Sequence, residues 1–148
     1  MAINTPMSHK PWIHNGSPLA EPPDGAVGFV YLITNSSTGR KYVGKKSFTT
    51  QKIRTKAGKR KKVRVESDWK TYIGSCDTLK EEAGIIGVEY FEREILHICY
   101  SKAEMTYLEL AEQVKREVLL SNDYYNGWLS ARVSQANLAK YAERIKKD

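Results

Sequence analysis

Cysteine is scarce in this sequence, and no long apolar run is present. Only Cys76 and Cys99 occur among 148 residues, which is too few for a disulfide framework, and no CxxC pair offers a zinc site. We therefore expect two reduced, buried thiols in a cytoplasmic protein. No apolar stretch approaches the roughly 20 residues that cross a bilayer, which excludes a membrane-spanning segment. The length predicts one domain.

Proline is absent after residue 23. Five prolines precede that point, accompanied by Gly16 and Gly25, and they are Pro6, Pro11, Pro18, Pro22 and Pro23. Because proline fixes φ and removes a backbone donor, residues 1–26 are predicted to form an extended arm without regular structure. Trp12 and Ile13 are the residues that can attach this arm to the surface of the domain.

Acidic residues are nearly missing from the middle of the chain. Residues 40–70 hold thirteen lysines and arginines and only two acids, Glu66 and Asp68, which gives a net charge of +11. Since the whole chain carries +7, the remaining residues together carry −4. Such a polarised distribution is typical of a surface that binds a polyanion, most often nucleic acid. The alternative is a solvated basic loop that aids solubility.

Three segments have the composition of β-strands. Residues 27–34 are rich in β-branched and aromatic side chains, residues 35–39 form a turn cluster, and residues 41–44 resume strand character, which together predict a hairpin. Residues 90–98 are interpreted as a third strand. Between them, residues 49–66 are basic and nearly without large apolar groups, which predicts an exposed loop or an extended ribbon.

Helical signals surround these strands. Ser67 resembles the start of a helix, and a second helix is predicted from about residue 76 to Gly84. Ser101 and Glu104 have the spacing of a capping box, which opens the longest predicted helix, to about residue 120. A last helix is predicted over about 135–147.

These elements predict an α/β (α+β) fold, a small three-stranded antiparallel sheet flanked by helices. The arm over residues 1–26 precedes a domain over 27–130 that carries a basic insertion at 45–66. Residues 131–148 are predicted to form a C-terminal helix.

Several polar side chains in this frame suit phosphodiester hydrolysis. Tyr31 and Tyr42 lie on the two hairpin strands, Glu109 and Glu112 lie three residues apart on the longest helix, and Asn126 follows it. A carboxylate can hold a hard divalent cation, and a phenol can orient or deprotonate water. Basic side chains can neutralise charge in the transition state. No single one of these residues is specific, so their order and spacing carry the prediction.

The motif GFVYLITNSSTGRKYVGKKSF resembles the opening of the GIY-YIG nuclease family, with residues 29–31 and 42–44 in place of its two signature tripeptides. The segment DWKTYIGSCDTLKEEAGIIGVEYFEREIL resembles the part that follows, and YLELAEQVKREVLLSNDYYN resembles the metal-binding helix with its Tyr-Asn ending. The resemblance covers about residues 27–127 and is greatest to small phage-encoded homing endonucleases. A literal Tyr-Ile-Gly at 72–74 lies within a predicted helix, and we interpret it as unrelated to the motif.

The resemblance implies a DNA endonuclease that uses Mg²⁺ or Mn²⁺ and no small-molecule cofactor. Tyr31 and Tyr42 would line the active site, with Tyr31 favoured for activating water, and Asn126 would support the phosphate or the metal unless it only forms a turn. The metal ligand would be Glu109 or Glu112. The surrounding sequence favours Glu109, whereas the spacing back from Asn126 favours Glu112.

The sequence departs from the family pattern at the catalytic arginine. No arginine lies near Trp69, where the family places one on its first helix. Arg64 is the nearest candidate, and Arg54 and Arg60 are alternatives. If none of them reaches the phosphate, a catalytically inactive module that only binds nucleic acid is the alternative function.

The basic segment is the predicted contact for double-stranded DNA. Its candidate residues are Lys45, Lys46, Arg54, Arg60, Lys61 and Lys62. We expect these side chains to contact mostly phosphates, with binding that weakens steeply with salt and has limited base specificity. Two further alternatives are plain surface charge and a protein whose basic patch meets an acidic protein partner. For a phage-encoded enzyme, the expected location is the cytoplasm of the bacterial host.

Overall fold

The strands and helices of the chain are seen in a computed structural model, which describes residues 9–146. The strands are β1 (Ile13–His14), β2 (Ser17–Pro18), β3 (Gly28–Asn35), β4 (Lys41–Ser47), β5 (Thr49–Lys56), β6 (Lys59–Glu66) and β7 (Phe91–Cys99). The α-helices are α1 (Asp77–Ile86), α2 (Lys102–Lys115) and α3 (Ala139–Lys146). Short 3-10 helices lie at Trp69–Thr71, Val88–Tyr90, Val118–Leu120 and Ala136–Leu138. The predicted mixed α/β class is confirmed.

The main sheet has five strands in the order β2-β1-β7-β3-β4, so the prediction of three strands is wrong. Strands β7, β3 and β4 form the predicted antiparallel centre, and β1 adds to it in parallel with β7. The extra strands come from the N-terminal arm, where Asn15 and Gly16 have φ of 51° and 82°. An Asn-Gly pair with two positive φ angles is a type I′ hairpin turn. The arm therefore has regular structure at residues 13–18, contrary to prediction.

The arm is also held from inside the domain. Trp12 is buried, as predicted for an anchor, and its indole N–H donates to the carbonyl of Trp69 at 2.6 Å. The buried guanidinium of Arg93 donates to the carbonyls of Lys10 and Tyr72 and lies 4.6 Å from the ring of Trp12. Residues 1–8 of the predicted arm lie outside the described residues.

The sheet separates two apolar layers. Side chains that alternate along β3 go to opposite faces, as the period of two in a strand requires. Phe29, Tyr31 and Ile33 pack in one cluster that takes in residues from the arm and from α1. Val30 and Leu32 pack in the other cluster, against α2. The strand is buried on both faces, which explains its nearly continuous apolar sequence.

Helix boundaries differ from the predictions in two places before β7. Ser67 opens only the short 3-10 helix at Trp69–Thr71, because Tyr72 already has extended angles and Gly74 has φ of 98°. Helix α1 continues through Gly84 and ends at Gly87, whose φ of 105° an L side chain rarely adopts. The first predicted helix is therefore wrong, and the second ends three residues later than predicted.

The predicted capping box is present at the start of α2. The Ser101 hydroxyl accepts a hydrogen bond from the Glu104 N–H at 3.1 Å, and the Glu104 carboxylate accepts one from the Tyr100 N–H at 3.0 Å. Helix α2 ends at Lys115 rather than near residue 120, because Glu117 adopts left-handed angles.

The predicted C-terminal helix is shorter than expected. Within the predicted range of 131–148, the structure shows the 3-10 helix Ala136–Leu138 followed by α3, and residues 147–148 lie outside the described part. Arg144 of α3 forms an ion pair with Glu104, whose side chain is almost fully buried at the start of α2. This ion pair connects the last helix to the domain.

Strands β5 and β6 form a separate antiparallel ribbon over residues 49–66. Its turn at Ala57 and Gly58 has φ of 53° and 77°, again two positive angles. Of the two predicted alternatives for this segment, the structure shows the ribbon. We call residues 49–66 the basic ribbon.

Two further predictions from the sequence concern the cysteines and membrane-spanning segments. Cys76 and Cys99 are free, and burial raises the pKa of the Cys99 thiol to about 12. Cys76 is half-buried just before α1. Among residues 9–146, no helix has the length and apolar character to cross a bilayer.

Candidate active site

Strand β4 forms one edge of the main sheet, and a cavity of about 590 Å³ opens along it. The segment after α2 covers the beginning of this edge, where the Lys41 N–H donates to Asp123 at 2.8 Å and the Tyr125 N–H donates to Lys41 at 2.7 Å. The cavity lies between β4, the beginning of α1, α2 and residues 125–130. Its lining consists of Tyr42, Lys45, Ser75, Cys76, Asp77, Glu109, Gln113, Tyr125, Asn126, Gly127, Trp128, Leu129 and Ser130.

The two tyrosines of the motif lie side by side but differ in exposure. Their ring centroids are 6.2 Å apart on the same face of the sheet. Tyr42, on the edge strand, lines the cavity, and its hydroxyl is 3.0 Å from that of Ser75. Tyr31, on the inner strand, is fully buried. Of the two phenols, the structure therefore opens Tyr42, and not Tyr31, to the cavity.

Tyr31 belongs to a cluster of aromatic rings behind the cavity. Burial, followed by the nearby Tyr72 and Tyr42, holds the pKa of the Tyr31 phenol well above its usual value, so this phenol keeps its proton. Tyr72 packs edge-on against it, with ring centroids 6.0 Å apart. The Tyr-Ile-Gly at 72–74 lies outside every helix of the described residues, contrary to the prediction. Its Tyr72 packs behind Tyr31.

Gly44 is the residue that makes room for Tyr31. The two residues are paired across β3 and β4, and a Cβ added at Gly44 would lie 2.3 Å from the Tyr31 hydroxyl oxygen. Such a distance is far below van der Waals contact, so any larger side chain must displace the phenol. The close approach of the Tyr31 phenol therefore explains why the second signature tripeptide ends in glycine.

Gly44→Ala is accordingly expected to destabilise the fold by about 1–3 kcal/mol, the usual cost of overpacking a core. Chemical denaturation monitored by tryptophan fluorescence measures this change. Gly84→Ala is the matched control, because a Cβ at this exposed helical position meets nothing within 4 Å. The control is expected to be neutral or to stabilise the protein by up to about 1 kcal/mol. Equal stability of the two variants would contradict the steric account.

Glu109 presents its carboxylate to the cavity from α2. Burial raises the pKa of this carboxyl, and the nearby Lys45 opposes that effect. The ammonium nitrogen of Lys45 lies 3.8 Å from a Glu109 oxygen and donates to the Thr106 hydroxyl at 2.9 Å. Glu109 and Lys45 are thus in loose contact at the cavity, and Asp77, at the start of α1, is the second acid on its lining.

Glu112, the alternative metal ligand, does not line the cavity. Its two carboxylate oxygens lie 2.7 Å from His97 Nε2 and 3.0 Å from Arg116 Nε. Burial opposes ionisation of Glu112, but the hydrogen bonds from His97 and Arg116 outweigh it and lower the pKa of the carboxyl. With both oxygens engaged by the protein, Glu112 has the features of a structural ion pair.

Asn126 uses its side-chain amide to hold the cavity wall against β4. The amide oxygen accepts from the Val43 N–H at 3.1 Å, and the amide nitrogen donates to the Val43 carbonyl at 2.9 Å. Gln113 donates to the same carbonyl at 3.3 Å. Asn126 and Gln113 thus both line the cavity and both bond to Val43 of β4, and no local pattern in the sequence predicts the contact of Gln113.

The predicted arginine does not lie in this cavity. Arg64 lies on the basic ribbon, where its guanidinium donates to the Thr49 hydroxyl at 3.0 Å, and Arg54 and Arg60 lie further along the same ribbon. Within residues 9–146, no arginine lines the cavity, and Lys45 is its one cationic side chain. Lys46 lies on the other face of β4 from Lys45 and does not line the cavity. It pairs with Asp68 at 2.6 Å.

A divalent metal fits this donor set only in an open arrangement. Among the described residues there is no group of three or more His, Cys, Asp or Glu side chains that can hold a metal, so a closed protein cage is excluded there. Mg²⁺ commonly binds through one or two carboxylates and completes its shell with waters and substrate phosphates. Glu109 on α2, with Asp77 as the other acid on the cavity lining, suits that mode of binding.

The mixed α/β fold brings Tyr42 of the edge strand and Glu109 of α2 to the same cavity. The family model described as "Putative endonuclease segE, GIY-YIG domain" matches residues 12–129. The chain therefore belongs to the GIY-YIG nuclease family, which confirms the resemblance seen in the sequence. The match begins at Trp12, where the structure attaches the arm. No curated protein and no solved structure matches the chain significantly.

Proposed function

We propose that this chain is a divalent-metal-dependent endonuclease of the homing type, which hydrolyses phosphodiester bonds of double-stranded DNA in the cavity along β4. The observation that carries the proposal is that Tyr42 and Glu109, one from each part of the family motif, line the same cavity. The site residues of the proposal are Tyr42, Glu109 and Lys45, with Tyr31 and Asn126 as positioning residues.

Glu109 is the residue that would hold Mg²⁺ or Mn²⁺. When bound, such a metal neutralises charge that develops on the phosphate and lowers the pKa of a coordinated water. Lys45 would transfer its contact from Glu109 to a phosphate oxygen, since it lies 3.8 Å from the carboxylate. In this way Lys45 would take the part of the missing arginine.

Tyr42 would orient the attacking water or a phosphate oxygen through its hydroxyl group. Burial raises the pKa of this phenol more than the hydrogen bond with Ser75 lowers it, so Tyr42 is protonated at neutral pH. A protonated phenol donates one hydrogen bond and accepts another, which suits positioning better than proton abstraction. Tyr31 would fix the Tyr42 ring from behind.

The absence of an arginine from the cavity lining of the described residues supports a second candidate, a module that binds DNA without cutting it. Metal removal separates the two functions. With Mg²⁺ or Mn²⁺, purified protein is expected to convert supercoiled plasmid to nicked or linear forms. A chelator should abolish the conversion, and an excess of metal should restore it. Binding without conversion under every metal condition would favour the second candidate, and chelator-resistant conversion would contradict the metal requirement.

A further inference from the structure

The basic ribbon projects from the domain rather than packing in it. Its two strands pair with each other from Thr49↔Glu66 to Lys56↔Lys59, and neither strand belongs to the main sheet. Its side chains are exposed except for Thr49, Val63 and Val65, which are half-buried. At about 3.3 Å per residue, eight residues in each strand extend roughly 26 Å. A solvated two-stranded projection of this length requires a function other than filling the core.

The basic ribbon carries the equivalent of the chain's entire net charge. It contains eight lysines and arginines and one acid, Glu66, which gives +7, equal to the charge of the whole chain. Within residues 9–146, none of these eight cations forms an ion pair with a carboxylate. Eight cations without acidic partners on one narrow element indicate a polyanion as the ligand.

The two faces of the ribbon differ in chemistry. Residues directly opposite each other in an antiparallel pair point to the same face. One face, the mixed face, carries Gln51, Ile53, Thr55, Arg60, Lys62 and Arg64. The other, the lysine-rich face, carries Lys52, Arg54, Lys56, Lys59 and Lys61 toward the tip of the ribbon, with Thr50 and the half-buried Val63 and Val65 toward its base. The mixed face has side chains that read guanine and adenine edges, whereas lysine is a flexible point charge that suits phosphates.

We propose that the basic ribbon enters the major groove of duplex DNA, with its mixed face toward the base edges and its lysine-rich face toward the flanking phosphates. The proposal rests on DNA as the substrate of the proposed nuclease and adds where and how the duplex is held. The major groove of B-form DNA is about 12 Å wide and admits a two-stranded ribbon, whereas the minor groove is about half as wide. The major groove of A-form RNA is too narrow for it.

Groove occupancy can be tested by chemical footprinting of the full chain on short duplexes with a randomised centre, in chelator so that the DNA stays intact. Dimethyl sulfate modifies guanine N7 in the major groove and adenine N3 in the minor groove. We expect protection at guanine N7 and none at adenine N3, with much weaker binding to duplex RNA. Protection confined to adenine N3, or equal affinity for duplex RNA or for single strands, would overturn the proposal.

The orientation of the ribbon can be tested with two variants that lose the same charge. Lys52→Gln, Arg54→Gln and Lys61→Gln together change the lysine-rich face, and Arg60→Gln, Lys62→Gln and Arg64→Gln together change the mixed face. The first variant is expected to flatten the slope of log affinity against log salt by about 2–3, at roughly 0.9 per phosphate contact. The second is expected to lose the base preference selected by wild type from the randomised pool, by about tenfold or more. Identical behaviour of the two variants would contradict the orientation.

A shortened ribbon separates this proposal from the nuclease function. Residues 50–65 can be replaced by Asn-Gly, because Thr49 and Glu66 are already paired at the base of the ribbon. Beside this pair, the Ser67 hydroxyl donates to the Ser47 carbonyl at 2.6 Å and the Ser67 N–H donates to the Phe48 carbonyl at 2.9 Å. This variant is expected to lose the guanine N7 protection and still to nick plasmid at low salt and high protein concentration. An unchanged footprint of the shortened variant would refute the ribbon proposal alone. The absence of nicking by wild type would refute the nuclease function alone.

Discussion

Glu109→Gln is expected to lower the rate of DNA cleavage by about a hundred- to a thousandfold, because the cavity loses the carboxylate of α2 that is the proposed metal ligand. Metal ions contribute several kcal/mol of transition-state stabilisation, and each 1.4 kcal/mol corresponds to a factor of ten in rate. Single-turnover cleavage of plasmid at saturating metal measures the effect. The amide has nearly the same shape as the acid, so the cavity should keep its form.

The same substitution has a predicted effect on stability. Burial raises the pKa of Glu109 in the folded protein, with Lys45 opposing it. A raised carboxyl pKa contributes stability that is complete below the unfolded pKa and is lost as pH rises through the folded pKa. Ionisation of Glu109 is therefore a cost to folding, so as pH rises Glu109→Gln should unfold at an equal or higher denaturant concentration than wild type.

Glu112→Gln is the matched control for Glu109→Gln. It breaks the pair with Arg116 and weakens the contact with His97 while leaving the cavity lining unchanged. Because the pKa of Glu112 is lowered in the folded state, its contribution to stability is present above the unfolded pKa and disappears as pH falls. We expect a less stable protein at neutral pH that still cleaves DNA. A folded Glu112→Gln variant without cleavage, beside an active Glu109→Gln, would exchange the roles of the two acids.

The comparison of the two acids shows what the sequence can and cannot predict at this site. Residues three apart on a helix lie close together on its surface, so the helical pattern left both acids as candidates. What distinguishes them is tertiary. Glu112 meets His97 of β7, which lies on the sheet beneath α2, whereas Glu109 lies over the edge strand with Lys45. The order of the strands, which the helical pattern does not predict, places Glu109 and not Glu112 at the cavity.

Sequence patterns predict a strand or a helix start correctly where a single pattern is present. The β-branched run of β3 and the capping box of α2 are both present. Where signals compete, the prediction and the structure differ. The Asn15-Gly16 turn lies among prolines that predict an irregular arm, and Gly84 predicts a helix end, whereas of Gly84 and Gly87 it is Gly87 that has a positive φ. A single glycine is tolerated inside a helix, so the helix end depends on backbone conformation rather than on composition.

The position of Tyr42 on the edge strand leads to the second large effect. Tyr31 and Tyr42 share a face of the sheet, and the alternation of the hairpin could not tell which one a substrate would reach. Strand order separates them, because β4 is an edge strand and β3 lies inside the sheet. The hydroxyl of Tyr42 lies beside the exposed Ser75 at the cavity, whereas the hydroxyl of Tyr31 is enclosed between Gly44 and the surrounding rings.

Tyr42→Phe is therefore expected to reduce cleavage by about a hundredfold or more, the usual contribution of a side chain that positions or transfers a proton. Tyr31→Phe, which removes the same hydroxyl from the buried ring, is expected to change the rate only severalfold. Single-turnover rates at saturating metal compare the two variants, and DNA affinity in chelator should be similar for both. Because the pKa of Tyr42 is raised, its ionisation should not appear in the rate between pH 6 and 9, as expected for a group with an ordinary pKa of about 10 that moves upward. A larger loss in Tyr31→Phe than in Tyr42→Phe would mean that the buried phenol acts on the phosphate after rearrangement of β4, as the sequence motif alone had suggested.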